Sequence, residues 1–104
     1  MMRVAFFNNK GGIGRTTLVY HLAHMMADQG LRPLILDLDP QSNLTSMCIS
    51  EERLEDEFWP ESSDHTRTIL GCIRPLLQGL GDLAEPHVED LREGLAIVAG
   101  DPGL

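Results

Sequence analysis

The sequence predicts an α/β fold built on a parallel sheet with flanking helices, and three observations carry that expectation. Residues 4–7 and 34–36 are short runs of consecutive apolar residues, the pattern of strands covered on both faces. Residues 16–29 lie between them with helical periodicity. A glycine-rich turn joins the first run to that helix. Two strands joined by a helix imply a right-handed βαβ unit. The chain has 104 residues, 42% of them hydrophobic, enough for one small domain and too few for two.

Taken in order, Val4, Ala5, Phe6 and Phe7 form the first strand, ending at Asn8 or Asn9. The helix over 16–29 carries Leu18, Leu22 and Met25 in one apolar row with Val19, Ala23 and Met26 beside it, and Gly30 is its C-terminal stop. Leu34, Ile35 and Leu36 make the second strand. Asp37 and Asp39 fall at its carboxyl end, beside the end of strand one, where open parallel sheets bind ligands. Residues 40–68 turn polar, with seven acids in the 14 residues from Glu51 to Asp64 against a single Arg53. Ser50 is placed to cap a short helix there. This acidic stretch reads as a solvated face, with an acidic docking surface for a basic partner as the other reading. Ile69, Leu70, Ile73, Leu76, Leu77 and Leu80 recur at helical spacing over 68–80, a helix expected to cover the sheet and to be kinked or split by Pro75. Residues 95–99, bounded by Gly94 and Gly100, read as a third buried strand.

Charge and cysteine content narrow the function classes. Eight Lys+Arg against 16 Asp+Glu give a net charge of -8, which opposes nucleic-acid binding by this segment itself. The apolar run after Arg3 is shorter than a signal-peptide core and nothing approaches the roughly 18 apolar residues of a spanning helix, so a cytoplasmic chain without a membrane partner is expected. Cys48 and Cys72 show no metal spacing and are read as two reduced thiols without chemistry.

The stretch Lys10-Gly11-Gly12-Ile13-Gly14-Arg15-Thr16-Thr17 lies between a predicted strand and a predicted helix. A glycine-rich turn there lets successive backbone N–H groups point at one concavity, and the helix N-terminus adds partial positive charge, so phosphate oxygens are stabilised. Thr16 or Thr17 can offer a hydroxyl to a magnesium ion. Against the general G-x-x-x-x-G-K-[ST] pattern, Asn9 stands at the first glycine and Arg15 at the lysine.

KGGIGRTT resembles the deviant Walker A motif, KGGxGK[ST]T, of the ParA/MinD superfamily of P-loop ATPases, differing only at Arg15. The stretch from Asp37 through Asp39-Pro40-Gln41 to Asn43 and Thr45 resembles the DxDPQxNxT segment after strand two in the ParA branch. This resemblance implies a P-loop NTPase-like sheet, here incomplete: the first βαβ unit, a helical insert and a third strand, all one N-terminal part of a ParA-like nucleotide-binding domain over residues 1–104. It implies ATP and Mg2+ as cofactors. It also implies roles. Lys10 would reach across a nucleotide-sandwich homodimer to the phosphates of the other subunit, Gly11, Gly12, Ile13 and Gly14 would wrap the phosphates with Arg15, Thr16 would ligate magnesium, and Thr17 would contact the α-phosphate. Asp39 would position the attacking water, with Asp37 near the metal's outer shell. Partners implied are a second copy, a DNA-bound partition adaptor, and non-specific DNA through a C-terminal half, in plasmid or chromosome partition.

Two departures bear on activity. A guanidinium at Arg15 is larger, planar and differently directed than the family's ammonium. The chain also stops before the Walker B strand and the adenine-contacting segment of such proteins. An ATP-driven dimer switch is therefore the leading reading, and a nucleotide-binding pseudo-ATPase or scaffold without hydrolysis the second. A truncated product without independent activity is the third. Nitrogenase iron protein relatives would need cluster-sharing cysteines, which Cys48 and Cys72 do not match.

Overall fold

The computed structural model describes residues 3–8, 13–61, 65–79 and 85–102. Four strands, β1 (Arg3–Asn8), β2 (Arg32–Asp37), β3 (Glu89–Arg92) and β4 (Leu95–Val98), form one sheet in the order β1-β2-β4-β3. β1 and β2 pair in parallel from Arg3 opposite Arg32 to Asn8 opposite Asp37, and β2 pairs in parallel with β4. Both parallel pairings agree with the expected architecture. The sheet is nevertheless mixed, because β3 runs antiparallel to β4 in a hairpin whose turn holds Gly94 at φ 81°. That strand escapes the sequence pattern because Glu89, Asp90 and Arg92 are charged. An edge strand tolerates such residues, and charge there discourages pairing with other chains.

α1 (Ile13–Asp28) links β1 to β2 and is followed by Gly30 at φ 84°, the left-handed stop that glycine supplies without steric cost. It starts three residues before the periodic stretch. Its two apolar rows part company. Ala23 is buried, and Val19, Tyr20 and Ala27 pack with it against Ile35, Leu95 and Ile97. Leu18, Leu22 and Met25 remain 58%, 37% and 56% exposed. Rows about 100° apart on a helix cannot both face one sheet, so the sheet takes the Val19–Ala23 side.

The polar stretch folds into α2 (Asn43–Cys48) and α3 (Glu51–Arg53), the latter continuing as a π-helical turn over Leu54–Phe58. Ser50 caps α3 as expected, its Oγ accepting from the Arg53 N–H at 3.3 Å. The π turn closes with the Trp59 N–H donating to Leu54 O at 2.6 Å. Leu44, Ile49, Leu54 and Phe58 thereby join the same core as α1. Glu51, Glu52, Glu55, Asp56 and Glu61 are exposed, which agrees with a solvated face, but Glu57 is not simply solvated. Arg53 donates to Glu57 at 2.9 and 3.1 Å and to Glu89 of β3 at 2.9 Å, and Arg67 donates to Glu57 at 2.9 Å. These pairs tie the insert to the edge strand.

The opposite face of the sheet is covered by α4 (Ile69–Leu77), where Ile69 and Cys72 meet Val98, Leu36, Leu34 and Leu38. Thr68 caps it, its Oγ1 accepting from the Leu70 N–H at 3.2 Å. The helix continues two residues past Pro75, so it is not split there, but it ends at Leu77, short of the expected residue 80.

Truncating Phe58 to Ala should cost about 3–5 kcal/mol in urea unfolding, the usual penalty for emptying a buried aromatic site. Leu18→Gln should change stability by less than about 0.5 kcal/mol; a core-sized loss there would show that its row is covered. The hydrogen bonds from Arg53 hold the Glu57 and Glu89 carboxyls below their ordinary 4.5. Depressed carboxylates stabilise above the ordinary carboxylate range and lose that contribution as pH falls through their lowered values. Unfolding free energy measured from pH 6 to 3 should therefore fall more steeply for the native chain than for Arg53→Met, and parallel curves would refute the linkage.

Candidate functional site

The carboxyl ends of β1, β2 and β4 converge at one end of the sheet. Asn8, the last residue of β1, lies opposite Asp37, the last residue of β2, so the turn leaving β1 begins beside the aspartate loop. Asp37 is fully buried. Its Oδ2 accepts from the Thr45 hydroxyl at 2.5 Å and from the Thr45 N–H at 3.0 Å, while Oδ1 accepts from the Asp39 N–H at 3.3 Å. The Thr45 hydroxyl also accepts from the Gly100 N–H at 2.8 Å, which joins the ends of β2 and β4.

Asp39 sits on the loop between these anchors and is 5% exposed. Its Oδ1 accepts from the Gln41 N–H at 3.0 Å, the local bond of an aspartate turn, and its backbone O accepts from the Ser42 N–H at 2.8 Å. Asp39 Oδ2 has no hydrogen-bond partner among the described residues. Ser42 closes the loop at φ 53°, a left-handed conformation that a non-glycine residue adopts at some cost.

Beyond β4, buried Asp101 receives the Thr68 hydroxyl at 2.7 Å and pairs with His65 Nδ1 at 2.7 Å. His65 Nε2 lies 3.1 Å from Pro60 O, and Trp59 Nε1 donates to Gly100 O at 2.9 Å. The insert is thus latched to the same strand end that carries Gly100. Asp37, Asp39 and Asp101 are thus three buried carboxylates at this end of the sheet, two of them held by internal donors. Cys48 lies near it, its thiol pushed up to about 12 by burial and by the Asp37 charge, so it is not a thiolate nucleophile at neutral pH.

Of the residues expected to form a site, Lys10, Gly11 and Gly12 lie outside the described residues. Ile13, Gly14 and Arg15 belong to the first turn of α1, and Thr16 and Thr17 follow them. Thr16 is 2% exposed, and its Oγ1 has no hydrogen-bond partner among the described residues. Thr17 is half-buried. Asp37 and Asp39 stand together on their loop. Sequence reasoning gave no role to Thr45, Ser42, Gly100, His65, Thr68 or Asp101. Thr45 lay within the quoted aspartate segment, whereas nothing local marks Gly100 as the partner of a residue 55 positions earlier.

A divalent cation with a phosphate ligand fits these residues on one observation: a hydroxyl buried without a partner is costly unless something else satisfies it, and the Thr16 hydroxyl is such a group at the start of α1. Among the described residues no set of three or more His, Cys, Asp or Glu side chains could hold a metal. A groove of about 280 Å³ lies elsewhere, at the opposite end of the sheet among Arg32, Pro33, Val88, Asp90 and Gly94.

Comparison with known proteins agrees with this geometry. The family model described as AAA domain matches residues 1–78. The "Chromosome-partitioning ATPase Soj" of Thermus thermophilus is 52% identical over 44 residues, 42% of this chain and 18% of that protein. The "Probable plasmid-partitioning protein ParA" of the same organism is 49% identical over 41 residues, 39% of this chain and 13% of that one. The matched stretches cover less than a fifth of either relative. The crystal structure of a Corynebacterium diphtheriae protein superposes with a TM-score of 0.77 at 35% identity, over all of this chain and 36% of its own. The resemblance to ParA-type partition ATPases and the P-loop-like fold are both borne out. Among the described residues no helix is long and apolar enough to cross a membrane.

Because a Cβ on Gly100 would stand 2.8 Å from Ser42 Oγ and 3.0 Å from Asp37 Cγ, Gly100→Ala should cost about 1–3 kcal/mol in chemical denaturation. A neutral effect would mean that the ends of β2 and β4 do not approach this closely in solution.

Proposed function

The chain belongs to the AAA-domain family, with ParA-type partition ATPases among its relatives, and on that premise we propose that it binds ATP with Mg2+ at the carboxyl ends of β1 and β2 and hydrolyses it slowly. The observation that carries this reading is the buried, unpartnered Thr16 hydroxyl in α1, at the end of the glycine-rich turn. No acidic residue occupies the first turn of α1, so its partial positive charge is left for an anion. Backbone N–H groups of Gly11, Gly12, Ile13 and Gly14 hold the phosphates, Arg15 adds charge, Thr17 binds the α-phosphate and Thr16 holds the metal. When bound, magnesium neutralises charge on the phosphate oxygens. Asp39 orients the attacking water with the carboxylate oxygen that no other described group engages, and Asp37 keeps the loop in place. Lys10 completes the site of a second copy, so the nucleotide-bound form is a homodimer. The cellular role is plasmid or chromosome partition in the cytoplasm, with a DNA-bound adaptor as partner and DNA contacts made outside this acidic segment.

A second reading is favoured by one residue. Arg15 retains charge for ground-state binding, but hydrolysis needs that charge where it develops in the transition state, and a misplaced cation lowers the rate more than the affinity. A nucleotide-binding scaffold would keep the first property without the second.

Replacing Arg15 by Lys should raise phosphate release by about tenfold or more while nucleotide affinity changes by less than about threefold, measured in the full natural chain. Equal turnover in both forms would show that the guanidinium serves as well as an ammonium. Absence of ATP binding in either form would refute the reading as a whole.

A further inference from the structure

We propose that Thr45 is a positioning residue for the metal–nucleotide site, one hydroxyl fixing both the Asp37 carboxylate and the end of β4. The inference rests on the ATP–Mg2+ reading above and deepens it. Thr45 is completely buried and its hydroxyl is used twice, donating its only proton to Asp37 Oδ2 and accepting from the Gly100 N–H. Its backbone N–H makes a second bond to the same carboxylate oxygen. With Oδ2 receiving two donors and Oδ1 receiving the Asp39 N–H, the carboxylate has one orientation. The loop carrying Asp39 is then held at both ends, by Asp37 before it and by Thr45 after it.

Both demands fall on the hydroxyl, which serine also supplies. Valine supplies the shape without the hydroxyl, taking one donor from Asp37 and leaving the Gly100 N–H buried without an acceptor. The consequence reaches further than stability. The end of β4 is also where Trp59, Thr68 and His65 latch the insert, so loss of the Thr45 hydroxyl frees the aspartate loop from both sides.

The test compares Thr45→Val, Thr45→Ser and Thr68→Val in the full natural chain. Thr68→Val removes another buried hydroxyl from another buried aspartate and reports what destabilisation alone does. Two quantities are measured: hydrogen exchange at the Gly100 amide without nucleotide, and affinity for a fluorescent ATP analogue with and without Mg2+. Thr45→Val should speed Gly100 exchange by at least about tenfold and reduce the gain in affinity from Mg2+ by about tenfold. Thr45→Ser should stay within about threefold on both, and Thr68→Val should lower the melting temperature yet keep the Mg2+ gain. If Thr45→Val keeps the full Mg2+ gain although its Gly100 amide exchanges fast, Thr45 is structural only and the proposal falls. Should Thr45→Val not fold, Thr45→Ser decides, since loss of the Mg2+ gain with the hydroxyl retained overturns it too. An unaltered chain whose nucleotide affinity ignores Mg2+ would remove the underlying reading, and this one with it; variants differing from a responsive native chain would not.

Discussion

A fully buried carboxylate costs several kcal/mol unless donors replace the water it gives up, and the arrangement around Asp37 is organised by that demand. Thr45 answers it from α2 and Asp39 from the following loop, and Thr45 in turn takes the Gly100 amide from β4. One anion and the hydroxyl it engages therefore hold the ends of β2 and α2 to the distant end of β4. The close approach this requires is visible at Gly100, where a side chain would collide with both Asp37 and Ser42. The left-handed Ser42 is a further local cost borne by the same loop.

The core supports this node from two sides. Ile35, Leu95 and Ile97 face α1 and the insert, whereas Leu34, Leu36 and Val98 face α4, as alternation along a strand requires. With both faces covered near the carboxyl ends, the buried acids sit above packed strands rather than in a loose loop cluster. The insert adds a second attachment through Asp101, His65 and Thr68, and its ion pairs to Glu89 make the acidic segment part of the fold. The row of Leu18, Leu22 and Met25 contributes nothing to that core.

In the proposed function, binding and turnover would draw on different parts of this arrangement. Phosphate binding would rely on backbone groups and the start of α1, whatever the side chain at position 15. Turnover would rely on where a positive charge and the Asp39 carboxylate stand relative to one another. Family membership and fold are established over most of the chain, while the chemistry proposed for this end of the sheet would depend on Arg15, Thr16, Thr45 and Asp39 acting together.

Much of the architecture was legible from local pattern. Apolar runs mark β1, β2 and β4, Gly30 the end of α1 and Ser50 the start of α3, and the end of β1 and Asp37 fall at neighbouring strand ends. These features depend on residues within a few positions of each other, so the chain states them directly. Tertiary structure alone decided which apolar row of α1 is buried, because both adjacent rows are apolar and only the position of the sheet chooses between them. It also decided that charged β3 completes the sheet, since an edge strand needs backbone partners more than apolar side chains. The meeting of Thr45 with Gly100, and of His65 with Asp101, likewise follows from packing: a hydrogen bond between residues 55 or 36 apart leaves no periodic trace in the sequence.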